Sequence, residues 1–364
     1  MRDTFGEIAS VSRDEPHQRI TALITRSLVG TRWSRMNVKR IDLEEWRDAL
    51  PASGYEVFHE PAALSVLEDH TSAELQLYGA YKGQQAVGLL PAFVTDRPVG
   101  RTVLSPPVSL SVPRLGPILN PNSPKRRKRE RINRELAEAV LDTAGVDGRT
   151  TLFRMACPLE YTDPRPFRWN DFSLEPRFTY VVDLEGTTLE NVMNGFSKSL
   201  RREMRQLDDL DLSIETEGIT SALRIYEDVA EQYREYDDPV PISRSFLRDL
   251  LSSLPDELWR VYVARTSDGQ YKSGIITLYS PDLAYFWQGG VTASYDGVSV
   301  NSLLHRTIID DILTDPELDS VTGYDLVGAN TERLCAYKAK FNSDLRQYYV
   351  VESSGLEMQL AKST

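Results

Sequence analysis

Two stretches of the chain place an amphipathic helix directly before a hairpin of apolar strands, and any fold has to accommodate both. The first is EPAALSVLEDH followed by LQLYGAYKG and QQAVGLLPAFV, with Lys82-Gly83 at the turn. In the second, SRSFLRDLLSSL is followed by LWRVYVARTSDG and QYKSGIITLYS. Each hairpin joins period-two strands through a tight polar turn with glycine. Each second strand carries an early small residue, Gly88 or Gly274. Two such units on one chain suggest duplication. Two unrelated hairpins are the alternative, because helix–hairpin units are common.

The 364-residue length suits two domains of about 150 to 180 residues, each with its own core. A hydrophobic content of 41% and a charged content of 26% describe a soluble globular chain. The apolar runs are shorter than a membrane span. The polar start MRDTFGEIASVSRDEPHQRI has no apolar signal-peptide region, so the expected location is cytoplasmic. Cys157 and Cys335 lie far apart and the four histidines show no ligand spacing, so no metal is expected. A net charge of −12 argues against general DNA binding and leaves room for a local basic stripe.

Residues 1–35 read as an N-terminal extension and 353–364 as a tail, with domains at 36–175 and 176–352. In the first domain, the Pro-rich LSPPVSLSVPRLGPILNPNSP blocks regular pairing and reads as a loop on a site face. The next helix, PKRRKRERINRELAEAVLDTAG, opens on a Lys125–Arg131 basic cluster where the macrodipole disfavours cations. It is either a solvated end or an anion site. In the second domain, LENVMNGFSKSLRREMRQLDD reads as one helix with Leu189, Val192, Met193, Phe196, Leu200, Met204 and Leu207 on its apolar side. Lys198, Arg201, Arg202 and Arg205 gather opposite, with Glu203 as the one nearby acid. That face suits an anion such as phosphate, or else solvent. The strand and helix order of the second half makes a mixed sheet with helices on both faces, an α/β (α+β) architecture.

The segment YDLVGANTERLCAYKAKFN, residues 324–342, reads as a strand end, a turn and a short helix. Helical spacing puts Leu334, Lys338 and Phe341 in one stripe and Lys340 on the outer face. Either Lys338 snorkels to water along its own stem, or its ammonium meets a polar or anionic group at the edge of a pocket. Asp325 and Tyr324 lie at a strand end, where site residues collect in open sheets. Asp325 is a candidate to orient or deprotonate an amine and Tyr324 to protonate a leaving group, with turn capping as the bland role for Asp325. Asn301 is expected to cap or support its helix start, and His305 to be a structural helix residue.

The sequences RFTYVVDL with FSKSLRREMRQ, YFWQGGVTASYDGVSVNSLLHRTII, and YDLVGANTERLCAYKAKF together resemble the GNAT acyltransferase superfamily. Within it the likeness, over about residues 37–352, is to FemABX-type duplicated proteins and BioF2-like or CelD-like acetyltransferase domains. The resemblance implies two tandem GNAT-like domains and transfer of an acyl or aminoacyl group to an amine. The acceptor class implied is a small-molecule or glycan-precursor amine of cell-envelope or polysaccharide synthesis. It makes LAYFWQGGV the central donor-lining strand, with Trp287, Gln288, Gly289 and Gly290 close to substrate. Lys338, Asp325 and Tyr324 become the candidate catalytic residues; Lys198, Arg201, Arg202, Asn301 and Asn330 the candidate substrate-binding ones. Members that use acetyl-CoA cradle its pyrophosphate in a glycine-rich turn. Here the equivalent loop reads YDGVSVNS, with Gly297 beside Asp296. Acyl-CoA (acetyl-CoA) therefore stands beside aminoacyl-tRNA as donor, with tRNA then a partner, and a non-catalytic binding protein that kept the doubled fold is the third reading.

Overall fold

Alternating apolar strands and amphipathic helices form a repeated pattern in the computed structural model, which describes residues 36–353 except 99, 109, 122, 147–150, 207–208 and 236. The expected N-terminal extension, most of the tail, and Leu207 lie outside the described residues. The first half contains β1 (Asn37–Ile41), α1 (Leu43–Ala49), α2 (Pro61–Asp69), β2 (Glu74–Lys82), β3 (Gln85–Asp96), β4 (Arg101–Ser105), β5 (Ile118–Leu119), α3 (Arg126–Thr143), β6 (Thr151–Ala156), α4 (Arg165–Trp169) and β7 (Ser173–Asp183). The second contains α5 (Leu189–Gly195), α6 (Lys198–Met204), β8 (Leu212–Glu217), α7 (Ile219–Glu235), α8 (Arg244–Ser253), β9 (Trp259–Thr266), β10 (Tyr271–Tyr279) and β11 (Leu283–Gly289). It continues with β12 (Ser294–Tyr295), β13 (Val298–Ser299), α9 (Val300–Thr314), β14 (Gly323–Asp325), α10 (Glu332–Lys338) and β15 (Asp344–Glu352).

One large mixed sheet runs in the order β1-β2-β3-β4-β6-β15-β7-β14-β11-β10-β9-β8, with β5 attached to β3. Read inward from either edge, the pairings repeat. Four strands run antiparallel, the fourth pairs parallel with a fifth across a helical crossover (β4 with β6, β11 with β14), and the sixth is antiparallel. The last strand of each half sits beside the other half: β15 pairs β6, and β7 pairs β14. β15 and β7 then pair along their lengths, from Asp344–Val181 to Glu352–Ser173. This reciprocal exchange makes the sheet continuous and leaves no cleavage plane between the halves.

The packing follows from the apolar faces. Two separate cores were the expectation from length, and the structure corrects it. On one face, α1 and α2 of the first half and α7 and α8 of the second share a core that holds Trp46, Leu64, Phe246, Leu250 and Trp287 together. On the other face, α3 and α4 cover the first half around Leu136, Phe153 and Phe167. There α5, α6 and α9 cover the second half around Phe196, Leu200 and Leu304. Helices from the two halves meet over one face because the apolar surfaces of both hairpins lie on it and are buried together. The single helix expected over 189–209 is broken in two: Phe196 is extended and Ser197 caps α6, accepting from Leu200 N at 3.3 Å. A serine at this spacing satisfies a free amide and so favours a new start. The apolar side survives the break, with Met193, Phe196, Leu200 and Met204 buried.

Candidate functional site

Alternation along β14 sends neighbouring side chains to opposite faces. Tyr324 and Asp325 are both fully buried, but in different company. The Tyr324 hydroxyl meets His305 Nδ1 at 2.9 Å, and the His305 ring packs against Phe286 and Phe341 with ring centres 4.8 and 5.0 Å away. Burial pulls the His305 imidazole down to about 3, helped by Lys338, and pushes the Tyr324 phenol well up. The histidine is neutral and structural, and Tyr324 sits in an aromatic core. His305 Nε2 has no hydrogen-bond partner among the described residues.

Asp325 faces the first half. Its Oδ2 accepts from Arg114 Nη2 at 2.5 Å, and its Oδ1 from Thr179 Oγ1 at 2.5 Å and from Val327 N at 2.8 Å. Arg114 also donates to Glu56 through Nε at 2.8 Å and Nη2 at 3.1 Å. The rings of Tyr285 and Tyr348 lie 5.9 and 5.4 Å from the guanidinium. Burial raises the Glu56 carboxyl, and Arg114 more than reverses this, holding it below the usual carboxylate range. Both Asp325 oxygens are committed, which suits it to position its neighbours. Arg114 and Glu56 are absent from the candidates read in the sequence. The available signal was a lone arginine in the apolar run SVPRLGPIL.

Lys338 closes the arrangement. It is 4% exposed, and Nζ donates to the carbonyls of Val327 and of Gly328, the latter at 2.8 Å. Both residues are left-handed, with φ of 49° and 82°, which is costly for the β-branched Val327. Two carbonyls turned toward one ammonium hold that loop. The side chain therefore points inward and does not snorkel. Burial lowers its pKa to about 8, against the pull of Asp325. Asn330 fixes the same loop by pairing with the Phe178 backbone, accepting from N at 2.9 Å and donating to O at 3.0 Å. Lys340 is exposed. The helical stripe fails at Leu334, which is 44% exposed.

β11 pairs with β14 only from Leu283 to Tyr285. Beyond that the strands part, and a register shift against β10 leaves Trp287 as the extra residue of a bulge. The Trp287 side chain lies in the shared core and donates from Nε1 to Ser111 O at 3.2 Å, tying down the Pro-rich loop. Gln288 is half-buried on the paired edge. A Cβ on Gly289 would come within 2.7 Å of the Phe286 ring, and Gly290 N donates to Gly274 O at 2.8 Å. Across the shared strands, Pro106, Pro107, Ser111, Arg154, Arg177 and Tyr348 line a cavity of about 210 Å³. Tyr348 thus borders both this cavity and the Arg114 guanidinium.

The loop before α9 is itself a hairpin, β12–β13, turning at Asp296 and Gly297 with φ of 47° and 80°. Ser299 caps α9 and accepts from Ser302 N at 3.4 Å. Asn301 is not the cap; its Oδ1 accepts from Ser273 Oγ at 3.2 Å. At the same helix start Ser302 Oγ donates to Glu203 Oε2 at 2.8 Å. A pyrophosphate placed there would meet this carboxylate, with Asp296 in the adjoining turn, so the residues fit CoA poorly. Lys198, Arg201, Arg202 and Arg205 line a cavity of about 680 Å³ with Gln206 and Asp209. Arg205 pairs with Glu190 at 2.5 Å and Arg201 donates to Asn194 O at 2.9 Å. Lys198 and Arg202 have no anionic partner among the described residues. Also among the described residues, no group of His, Cys, Asp and Glu is placed to hold a metal, and no helix is long and apolar enough to cross a membrane.

Residues 194–339, which span the basic helix, the bulged strand and the Lys338 loop, match the family model of the acetyltransferase (GNAT) domain. The chain carries a GNAT-type acyltransferase domain. Its structure is similar to that of FemX, at TM-score 0.64 and 11% identity over 86% of this chain and 97% of that one. It is also similar to the C-terminal domain of a putative lysylphosphatidylglycerol synthetase from Agrobacterium fabrum, at TM-score 0.54 and 11% identity over 88% and 94%. L-PGS from Bacillus licheniformis aligns at TM-score 0.54 and 11% identity over 89% and 96%. These likenesses span both halves of the chain and show the fold alone. No curated protein sequence matches the chain.

Proposed function

We propose that this GNAT-type protein transfers an acyl group to an amino group of a cell-envelope or polysaccharide precursor, with Lys338 at the reacting centre. The observation that carries the reading is the Lys338 ammonium, buried and held on two carbonyls beside the point where β11 and β14 part. An ammonium has three donors, so one N–H remains for the oxygen that becomes negative when the amine attacks the donor carbonyl. The new C–N bond forms, the ester or thioester bond breaks, and the amine proton leaves with the departing oxygen or sulfur. Asp325 and Asn330 act as positioning residues for the Lys338 loop, while Trp287 to Gly290 shape the wall of the donor channel. Tyr324 supports this from the aromatic core. The two GNAT-like copies run from β1 to β7 and from α5 to β15, so that the boundary expected at 175/176 falls inside β7, and each copy is completed in space by the other's last strand.

For the donor, the Glu203 carboxylate at the α9 start and the four-cation cavity on α6 favour an aminoacyl-tRNA over acyl-CoA, with Lys198, Arg201 and Arg202 on its phosphates. Such a donor places the reaction in the cytoplasm. A donor that binds the folded state raises stability by RT ln(1 + [L]/Kd), about 2.7 kcal/mol at a hundredfold excess over Kd. Thermal unfolding should rise with aminoacyl-tRNA and stay put with acetyl-CoA. Label from the charged tRNA should pass to an amino-sugar or peptide amine as a product stable to mild alkali. Stabilisation by micromolar acetyl-CoA would reverse the donor assignment, and the absence of any alkali-stable product from either donor would remove the transfer reading.

A further inference from the structure

The seven cations of residues 125–134 stand out in a chain whose net charge is −12. Arg126, Arg131 and Arg134 pair with Glu130, Glu135 and Glu138 one turn on. Lys125, Arg127, Lys128 and Arg129 have no anionic partner among the described residues, and all four are exposed. The helix gains nothing from them, since the macrodipole opposes cations at its first turns. Beside them lies an aromatic that the core does not use. Trp169 of α4 is 58% exposed. Arg165 links the two, pairing with Glu130 at 2.8 Å and lying 5.7 Å over the Trp169 ring.

We infer that the start of α3 and the exposed end of α4 form a docking surface for an anionic lipid bilayer. A tryptophan at the rim of a cationic patch is what the headgroup region accepts, with the indole at the interface and the cations on acidic lipid. Each Lys or Arg brought to such a surface strengthens binding roughly fivefold. The acidic remainder of the protein does not cancel this, because charges beyond about 8 to 10 Å are screened at physiological salt. An RNA is the lesser fit: single-strand binders stack successive bases on several aromatics, and here one indole has Arg165 over it. The buried faces of both helices stay in the core with Leu136 and Phe167, so docking needs no unfolding. Peripheral docking would bring the site to acceptors carried on lipid, but the surface itself does not depend on the proposed chemistry.

Co-sedimentation of the full chain with vesicles tests this without any activity assay. Vesicles of phosphatidylcholine with about a third phosphatidylglycerol should bind the protein, and pure phosphatidylcholine should not. Binding should disappear at about 0.5 M salt. The exposed substitutions R127E and K128E together should reduce binding at least a hundredfold, and W169S roughly tenfold, with circular dichroism spectra unchanged. Absence of binding to the anionic vesicles, or equal binding by these variants, overturns the proposal. So does a filter assay in which the same variants lose affinity for RNA while the vesicles are ignored.

Discussion

The two crossover helices, α3 and α9, hold equivalent places in the repeated topology and start in opposite electrostatic settings. α9 is capped by Ser299, and its first turn receives the Glu203 carboxylate through Ser302. α3 starts without a side-chain cap or an acid in its first turn, among exposed cations. The strands before them differ as well. β4 and β6 pair from Arg101–Thr151 to Ser105–Met155, whereas β11 leaves β14 after Tyr285. The two halves repeat one topology and differ in detail: the second parts its parallel pair beside Lys338, and the first sends the Pro-rich loop across to Trp287 and Asp325.

That lock is where the comparison breaks most readily. Arg114→Met leaves Glu56 and Asp325 buried without their cation, and breaking such a pair costs about 3–5 kcal/mol. Urea unfolding should show that loss. A cost under about 1 kcal/mol would mean the halves do not depend on the contact. Next in size is the α9 start. Glu203→Gln removes the charge from the Ser302 bond and from the helix dipole, for an expected loss of about 1 kcal/mol. The smallest effect has the opposite sign: Lys128→Glu on α3 should stabilise by about 0.3–1 kcal/mol. If both substitutions destabilise equally, the two helix starts are not opposed as described.

Much of this was legible in the sequence, and what was not has a physical cause. The helix–hairpin repeat, the mixed sheet and the contrast between Lys338 and Lys340 follow from periodicity. The Glu56–Arg114–Asp325 cluster does not, because its members lie 58 and 211 residues apart and meet only through the strand exchange. Leu334 misled for a related reason: α10 spans just Glu332–Lys338, and a helix of two turns is held by its ends, so its period says little about which face is covered. The break at Ser197 was hidden by an apolar stripe that continues across it. β4 leaves little mark on the sequence, since RTVLS is short and abuts prolines.

The pH dependence separates activity from stability. The Lys338 pKa falls from 10.5 to about 8 on folding, so between those values the unfolded chain holds the extra proton. Stability should therefore rise with pH in that window. Turnover should fall over the same range as the ammonium is lost. Turnover that rises above pH 8 would mean the neutral amine is the active form.

The central claim is that charge at Lys338, rather than charge anywhere in the segment of α10 and the turn after it, serves the reaction. The comparison of Lys338→Met with Lys340→Met tests it most directly, since methionine keeps the apolar stem in both. With the donor and acceptor that support turnover, Lys338→Met should remain folded and lose about two orders of magnitude in kcat, equivalent to about 2.7 kcal/mol, while Lys340→Met should stay within about twofold. Equal kcat values for the two variants would contradict the account and leave the Val327–Gly328 loop as a structural feature alone.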